Sequence, residues 1–287
     1  MKASTVANWN LRYERSSRCP TRNGGELYYE TYGEGPPLLF LNNFFIIAPA
    51  WRNFTAELRE RCTIIAYDLQ NQGASSQPGA SFPFSSHAED AVDLLDQLEV
   101  DMAYIVGTSI STLIARDLAL RHPDRVRGLV LMGPIYSPYG PLRYKMLMKD
   151  WRARLSAGGP TTLFNYLYPT VFSDRAIGEG GRATYLGLRE RFLALNSEEQ
   201  IEACLEGASA AEQAADGTAQ LSQSTLLMIG DGDAFWSAST LAAACAAQPA
   251  AEGVIIPDAG HLPFAEQTKA FERAVLEFVE ATERSRL

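Results

Sequence analysis

Apolar residues fall along this chain in short runs that stop at polar or turn-forming residues. Leu38-Leu39-Phe40-Leu41 stops at Asn42-Asn43, Thr63–Tyr67 at Asp68, and Val126–Met132, interrupted by Arg127, at Gly133-Pro134. Thr225–Ile229 ends at Gly230, Val254–Ile256 at Pro257, and Ala103–Val106 runs into a turn at Gly107–Ser111. Runs this short and this apolar predict strands buried on both faces, as in a parallel sheet. Leu27–Tyr32 alternates in part and predicts one more strand. Helices are expected between them, at Trp51–Arg61, Ser86–Leu98, Ile110–His122 and Phe264–Thr282. The second carries Ala91, Leu94, Leu95 and Leu98 on one face, with Ser86 placed to cap it and Glu89 three residues on. Strands alternating with helices imply an α/β fold, a mostly parallel central sheet flanked by helices on both faces.

The stretch from Tyr136 to about Gln223 breaks this rhythm. It has no buried-strand run and predicts helices with aromatic faces, as in Leu163, Phe164, Tyr166, Leu167, Tyr168 and Phe172. We expect residues 1–135 and 224–287 to form a core domain and residues 136–223 an inserted helical cap over one edge of the sheet. The alanine-rich pieces Ala203–Ala219 and Ala238–Ala251 fit helix surface or close helix packing.

Composition removes several function classes. With 46% hydrophobic and 21% charged residues, the chain has globular proportions, which argues against disorder and fibres. A net charge of −9 repels phosphate backbones and anionic lipid, so no nucleic-acid or membrane partner is expected. No run of about 18 apolar residues is present to span a bilayer. The first twenty residues are polar and charged and lack the apolar stretch of a secretory leader. Cys19, Cys62, Cys204 and Cys245 are too scattered for a zinc site or a disulfide framework, and fit buried thiols in a reducing cytoplasm. Only three histidines exist, dispersed at His87, His122 and His261, so neither a metal site nor an organic cofactor is indicated.

One constellation carries chemistry. Gly107-Thr108-Ser109-Ile110-Ser111 follows a strand and opens a helix, the setting in which a serine is forced into a sharp turn and its hydroxyl stands clear. The bland alternative is a serine that merely caps the helix. A nucleophilic serine needs a base. His261, in Gly260-His261-Leu262-Pro263, leaves the sheet just after the last strand and can reach that turn, whereas His122 ends a helix and His87 sits in a first helical turn. An imidazole in turn needs an orienting acid. Gly230-Asp231-Gly232-Asp233 offers two, of which Asp233, further out on the loop, is the first choice and Asp231 suits bracing of the turn. The expected oxyanion donors are the backbone N–H groups of Ile110, directly after the serine, and of Phe44, in the loop after Leu38–Leu41.

At these residues the sequence resembles the α/β-hydrolase superfamily over nearly its whole length. The serine turn, the Gly-Asp-Gly-Asp loop, Gly260-His261-Leu262-Pro263 with Glu266, and the Asp68–Ser75 turn match in order and spacing. The sequence departs from the pattern at three places: Ser111 stands where glycine is usual, Gln70 where an arginine is common, and Asn42-Asn43 where His-Gly is usual. The cap is similar, more distantly, to that of acyltransferases making the lipid precursor of rhamnolipids, at Leu193-Ala194-Leu195-Asn196 and Ala203-Cys204-Leu205-Glu206, and to hydrolases of polyketide and peptide antibiotic assembly lines. The resemblance implies an α/β-hydrolase fold and covalent catalysis on an ester or thioester of a mainly hydrophobic acyl group, passed to water or to another acceptor. It also raises an acyl carrier protein as partner, for which Arg143, Lys145, Lys149, Arg152 and Arg154 are a candidate docking stretch; a solvated helix face explains them as well. The alternative from another class is a catalytically silent binding protein that uses the pocket as a receptor.

Overall fold

The apolar runs become the strands of one eight-stranded sheet in the computed structural model, which describes residues 9–14, 17–79, 81–211 and 221–286. The strands are β1 (Arg18–Pro20), β2 (Glu26–Tyr32), β3 (Pro37–Phe40), β4 (Thr63–Tyr67), β5 (Ala103–Thr108), β6 (Val126–Met132), β7 (Thr225–Gly230) and β8 (Ala251–Ile256). Their order is β1-β2-β4-β3-β5-β6-β7-β8. β1, β2 and β4 pair antiparallel at one edge, and the rest of the sheet is parallel. β3, β5, β6 and β7 are buried along almost their whole length, which is why each reads as a continuous apolar run. β1 leaves no such trace, because three residues ending in Pro20 make one edge ladder only.

Helices cover the sheet: α1 (Ser86–Gln97), α2 (Ser111–Arg121), α6 (Ala238–Ala247), α7 (Pro263–Glu266) and α8 (Thr268–Arg286). Among the described residues, three more lie between β6 and β7: α3 (Leu142–Val171), α4 (Asp174–Leu195) and α5 (Glu198–Ser209). α3 is kinked at Gly158-Gly159 and α4 at Gly181, where Gly159 and Gly181 adopt positive φ. α5 opens on a capping box between Ser197 and Gln200. The second half of the first alanine-rich piece, residues 212–220, and the polar residues 1–8 lie outside the described residues.

Three local expectations fail, each for a visible reason. Trp51–Arg61 is not one helix but two 3₁₀ turns, Ala48–Asn53 and Leu58–Glu60. The Glu272 carboxylate takes the N–H groups of Glu57 and Leu58, and the Thr55 hydroxyl takes the Trp51 carbonyl, so the bonds of a continuous helix are diverted. The closing helix is split at Gln267, which leaves helical φ and ψ. Ser86 starts α1 without capping it, and Glu89 is drawn instead to Arg22, Arg121 and His122.

Candidate active site

Ser109 sits between β5 and α2 with φ +55°, a left-handed conformation that costs a non-glycine residue energy and lifts its side chain off the sheet. The turn closes because its neighbours are small. A Cβ at Gly107 would lie 2.8 Å from the Ser111 carbonyl and 3.1 Å from the Ala115 methyl. Ser111, where glycine is common, is accommodated by its own hydroxyl, which accepts from Thr108 N and reaches the carbonyls of Leu41 and Thr108.

The structure brings all three polar candidates together. Ser109 Oγ is 3.0 Å from His261 Nε2, and His261 Nδ1 is 3.0 Å from Asp233 Oδ2. The His261 and Asp233 side chains are wholly shielded from solvent, while Ser109 keeps partial access. The other Asp233 oxygen accepts from Phe235 N at 2.7 Å and Trp236 N at 3.2 Å, which fixes the carboxylate. Asp231 stays out of the cluster and accepts from Ala259 N, bracing the β7 turn against the segment that follows β8. His122 bonds Glu89, and His87 is buried against Phe82 and Phe84; neither approaches Ser109 as a partner.

The loop after β3 is ordered by its asparagines. Asn42 donates to Asp68 Oδ1 and accepts from the Trp51 indole, and Asn43 Oδ1 accepts from Phe45 N at 2.7 Å. Asp68 is fully buried, and desolvation pushes its carboxyl up; Tyr13, Asn42, Ala48 and Ala74 all donate to it and pull the other way. Asn42-Asn43 thus replaces the usual residues with a closed amide network. Among the described residues, neither Phe44 N–H nor Ile110 N–H donates to another group of the chain, which leaves both available to a ligand.

Four residues that the sequence did not single out for a role hold this arrangement. Gly133, at φ +52°, faces the imidazole: a Cβ there would lie 2.5 Å from the His261 carbonyl oxygen and 2.8 Å from its Cε1 and Nδ1. Phe235 covers the same ring, with centroids 4.5 Å apart. Glu266 accepts from Gly260 N and from the backbone and hydroxyl of Ser173, and His261 N donates to the Val171 carbonyl, so the end of α3 is bonded to the histidine loop. Asn196 Nδ2 donates to the Phe44 carbonyl at 3.0 Å, tying the end of α4 to the loop after β3.

The aromatics of α3 and α4 pack largely on one another. Phe164, Phe172 and Phe192 surround Phe45, and Tyr166 lies under the Arg154 guanidinium. Phe44, Trp151 and Phe235 form an apolar line that ends at His261. The basic stretch is partly neutralised in place: Arg152 pairs with Glu202, Arg154 with Asp150, and Arg143 reaches the Ala234 carbonyl. No cluster of metal-ligating side chains and no helix long and apolar enough to cross a membrane occurs among the described residues.

Residues 36–268 match the family model for the alpha/beta hydrolase fold. The chain belongs to this family. It is 39% identical over 105 residues to a 2-hydroxymuconate semialdehyde hydrolase of a Pseudomonas species, a match covering 35% of this chain and 37% of that relative's length. A solved hydrolase from Pseudomonas aeruginosa superposes with a TM-score of 0.79 at 25% identity, covering 93% of this chain and 99% of that one. An esterase from Thermogutta terrifontis shares the fold with a TM-score of 0.81 at 24% identity, over 93% and 98% of the two chains. In an alpha/beta hydrolase the Ser109 turn, the Asp233 loop and the His261 loop all lie at the carboxyl ends of their strands, β5, β7 and β8.

Proposed function

We propose that the protein is a serine hydrolase of small-molecule esters or thioesters, with Ser109 as nucleophile, His261 as general base and acid, and Asp233 as its orienting acid. The observation that carries this reading is the unbroken contact from Ser109 Oγ to His261 Nε2 and from His261 Nδ1 to Asp233, with the serine at positive φ. His261 removes the hydroxyl proton as Ser109 Oγ attacks the carbonyl carbon. Asp233 holds the ring and stabilises its charged form. The amides of Ile110 and Phe44 receive the developing oxyanion, each donor contributing about 2.7–4 kcal/mol by analogy with measured cases. The imidazolium then protonates the leaving group, and a water activated by the same ring releases the acid from the acyl-enzyme.

The curated relative and the Pseudomonas aeruginosa structure are both named hydrolases, which supports water as acceptor over transfer to an alcohol, amine or thiol. The apolar line from Phe44 to His261 supports a mainly hydrophobic acyl group. Residues 136–223 act here as a cap that shields the acyl-enzyme. The pairing of Arg152 and Arg154 within the chain favours a free ester over one carried by an acidic protein. Four free thiols support a reducing, cytoplasmic setting.

Intact-mass analysis after fluorophosphonate treatment tests the reading. One adduct on Ser109, absent in Ser109→Ala and strongly slowed in His261→Ala, is expected together with ester turnover. An inert Ser109 in folded protein would support the receptor reading instead.

A further inference from the structure

The Asp233 oxygen that does not face His261 accepts from Phe235 N and Trp236 N, so the carboxylate takes its aim from the backbone at residues 235 and 236. That backbone is anchored by the Trp236 side chain. Its indole N–H donates to the Tyr136 carbonyl at 2.7 Å, across 100 residues of sequence. The two rings also meet edge-on, with centroids 5.3 Å apart. Trp236 is 2% exposed and Tyr136 3%, so the bond is shielded from competing water.

The Tyr136 end is held in turn. Arg116, fully buried on α2, places its guanidinium 4.4 Å from the centre of the Tyr136 ring. α2 opens two residues after Ser109, and Tyr136 stands three residues beyond Gly133, where the lack of a Cβ makes room for the His261 ring. The Trp236–Tyr136 bond therefore joins the loop that carries the acid to the loop that shapes the space of the base, and Arg116 ties both to the helix behind the serine. An indole is suited to this place because it combines an apolar body with one donor; phenylalanine would pack there and donate nothing.

We propose that Trp236 is a positioning residue for the orienting acid: its indole N–H, bonded to the Tyr136 carbonyl, holds the two amides that aim Asp233 at His261 Nδ1. Among the described residues its hydrogen bonds run to Asp233 and Tyr136, so it acts on the reaction through Asp233 alone. Without the bond, the backbone at 235 and 236 drifts and Asp233 Oδ2 withdraws from the ring. The imidazolium that forms as Ser109 attacks is then less well stabilised. The inference rests on the serine-hydrolase reading and adds to it a residue outside the three reacting side chains.

The test follows labelling of Ser109 by a fluorophosphonate-rhodamine probe at several concentrations between about pH 5 and 9, which separates the maximal rate, kinact, from the half-saturating concentration, KI. Four proteins are compared: wild type, Trp236→Phe, the full chain with benzothienylalanine at position 236, and Phe278→Leu. Benzothienylalanine keeps the shape of the indole and replaces its N–H by sulfur, so it decides alone if Trp236→Phe fails to fold. Phe278→Leu loosens the packing on Tyr104, at the other end of β5 from Ser109, and shows what general destabilisation does. In both proteins altered at position 236, kinact is expected to fall roughly three- to thirtyfold with KI within about twofold. The acid limb of the kinact/KI profile should also move to lower pH, because a base whose carboxylate is misplaced holds its proton less tightly. In Phe278→Leu the limb should stay in place. Unchanged kinact with benzothienylalanine overturns the inference, since ring packing alone then suffices. A fall in kinact without movement of the limb marks general loosening and overturns it too; both outcomes leave the hydrolase intact. Absence of Ser109 labelling in the wild type would sink the hydrolase reading and this inference with it.

Discussion

A methyl group at position 133 would fall in the space that the imidazole of His261 fills. Gly133→Ala is therefore expected to displace the ring, and a shift near 1 Å at a reacting group can cost about a hundredfold. Steady-state kinetics should show kcat lowered by roughly ten- to a hundredfold. Fluorophosphonate labelling of Ser109 should slow in parallel, since both need the aligned base. A variant with unchanged kcat would show that the ring has room to move. The residues of this cluster divide by how far their signal reaches along the chain. Ser109, Asp233 and His261 stand at strand ends beside glycines, where the chain announces a turn and the chemistry of the side chain does the rest. Gly133 also follows a strand, but a missing side chain says nothing of the ring it makes way for. Asn196 and Phe44 are 152 residues apart, and Glu266 and Ser173 are 93 apart, so no spacing rule connects either pair.

At the scale of elements, the N-terminal end of α1 holds two groups, His87 and Asp90, whose burial has opposite consequences. Desolvation lowers His87 from 6.5 to about 4, and raises Asp90 from 3.8 to about 7 against hydrogen bonds from Gln70 and Asn23 and with the repulsion of Asp93 and Glu89. Between those limits the unfolded chain binds the extra proton at His87, so that contribution to stability grows as pH rises. The folded chain keeps the extra proton at Asp90 over nearly the same range, so that contribution shrinks as pH rises. Each slope is at most about 1.4 kcal/mol per pH unit, and in the wild type they offset each other. Relative to wild type, Asp90→Asn should tilt the melting temperature upward with pH across this window, and His87→Phe should tilt it downward. Parallel curves for the three proteins would refute the pairing. The end of α4 gives a second prediction. Asn196→Ala removes the bond to the Phe44 carbonyl, and a poorly set oxyanion donor weakens the transition state more than the ground state. We expect kcat to fall roughly tenfold or more with KM little changed, measured on any ester the wild type turns over. β3, β5, β6 and β7 were readable as elements because each is buried along almost its whole length, and β8 only through its apolar end at Val254–Ile256. The 3₁₀ turns at Ala48–Asn53 and Leu58–Glu60 were not, because a carboxylate from α8 takes the amides of Glu57 and Leu58, between and at the start of the second turn, and so interrupts a continuous helix.

Across the whole molecule, the general plan followed from the alternation of strands and helices, while the bonds that join the ends of α3 and α4 to the sheet's loops emerged only in three dimensions. Glu266 is the hub of one such junction. Glu266→Ala leaves Gly260 N and Ser173 N without their acceptor, a loss of about 1–3 kcal/mol. Hydrogen exchange should rise together at residues 171–174 and 259–261, whereas exchange confined to one of the two segments would show that they move apart freely. The same junction constrains anyone who would graft a foreign helical lid onto this scaffold. A transplant across residues 142–209 keeps the base in register only if it delivers a carbonyl where Val171 now offers one and a hydroxyl where Ser173 does. A graft chosen for its pocket alone would arrive with the wrong fastening and inherit a misaligned histidine.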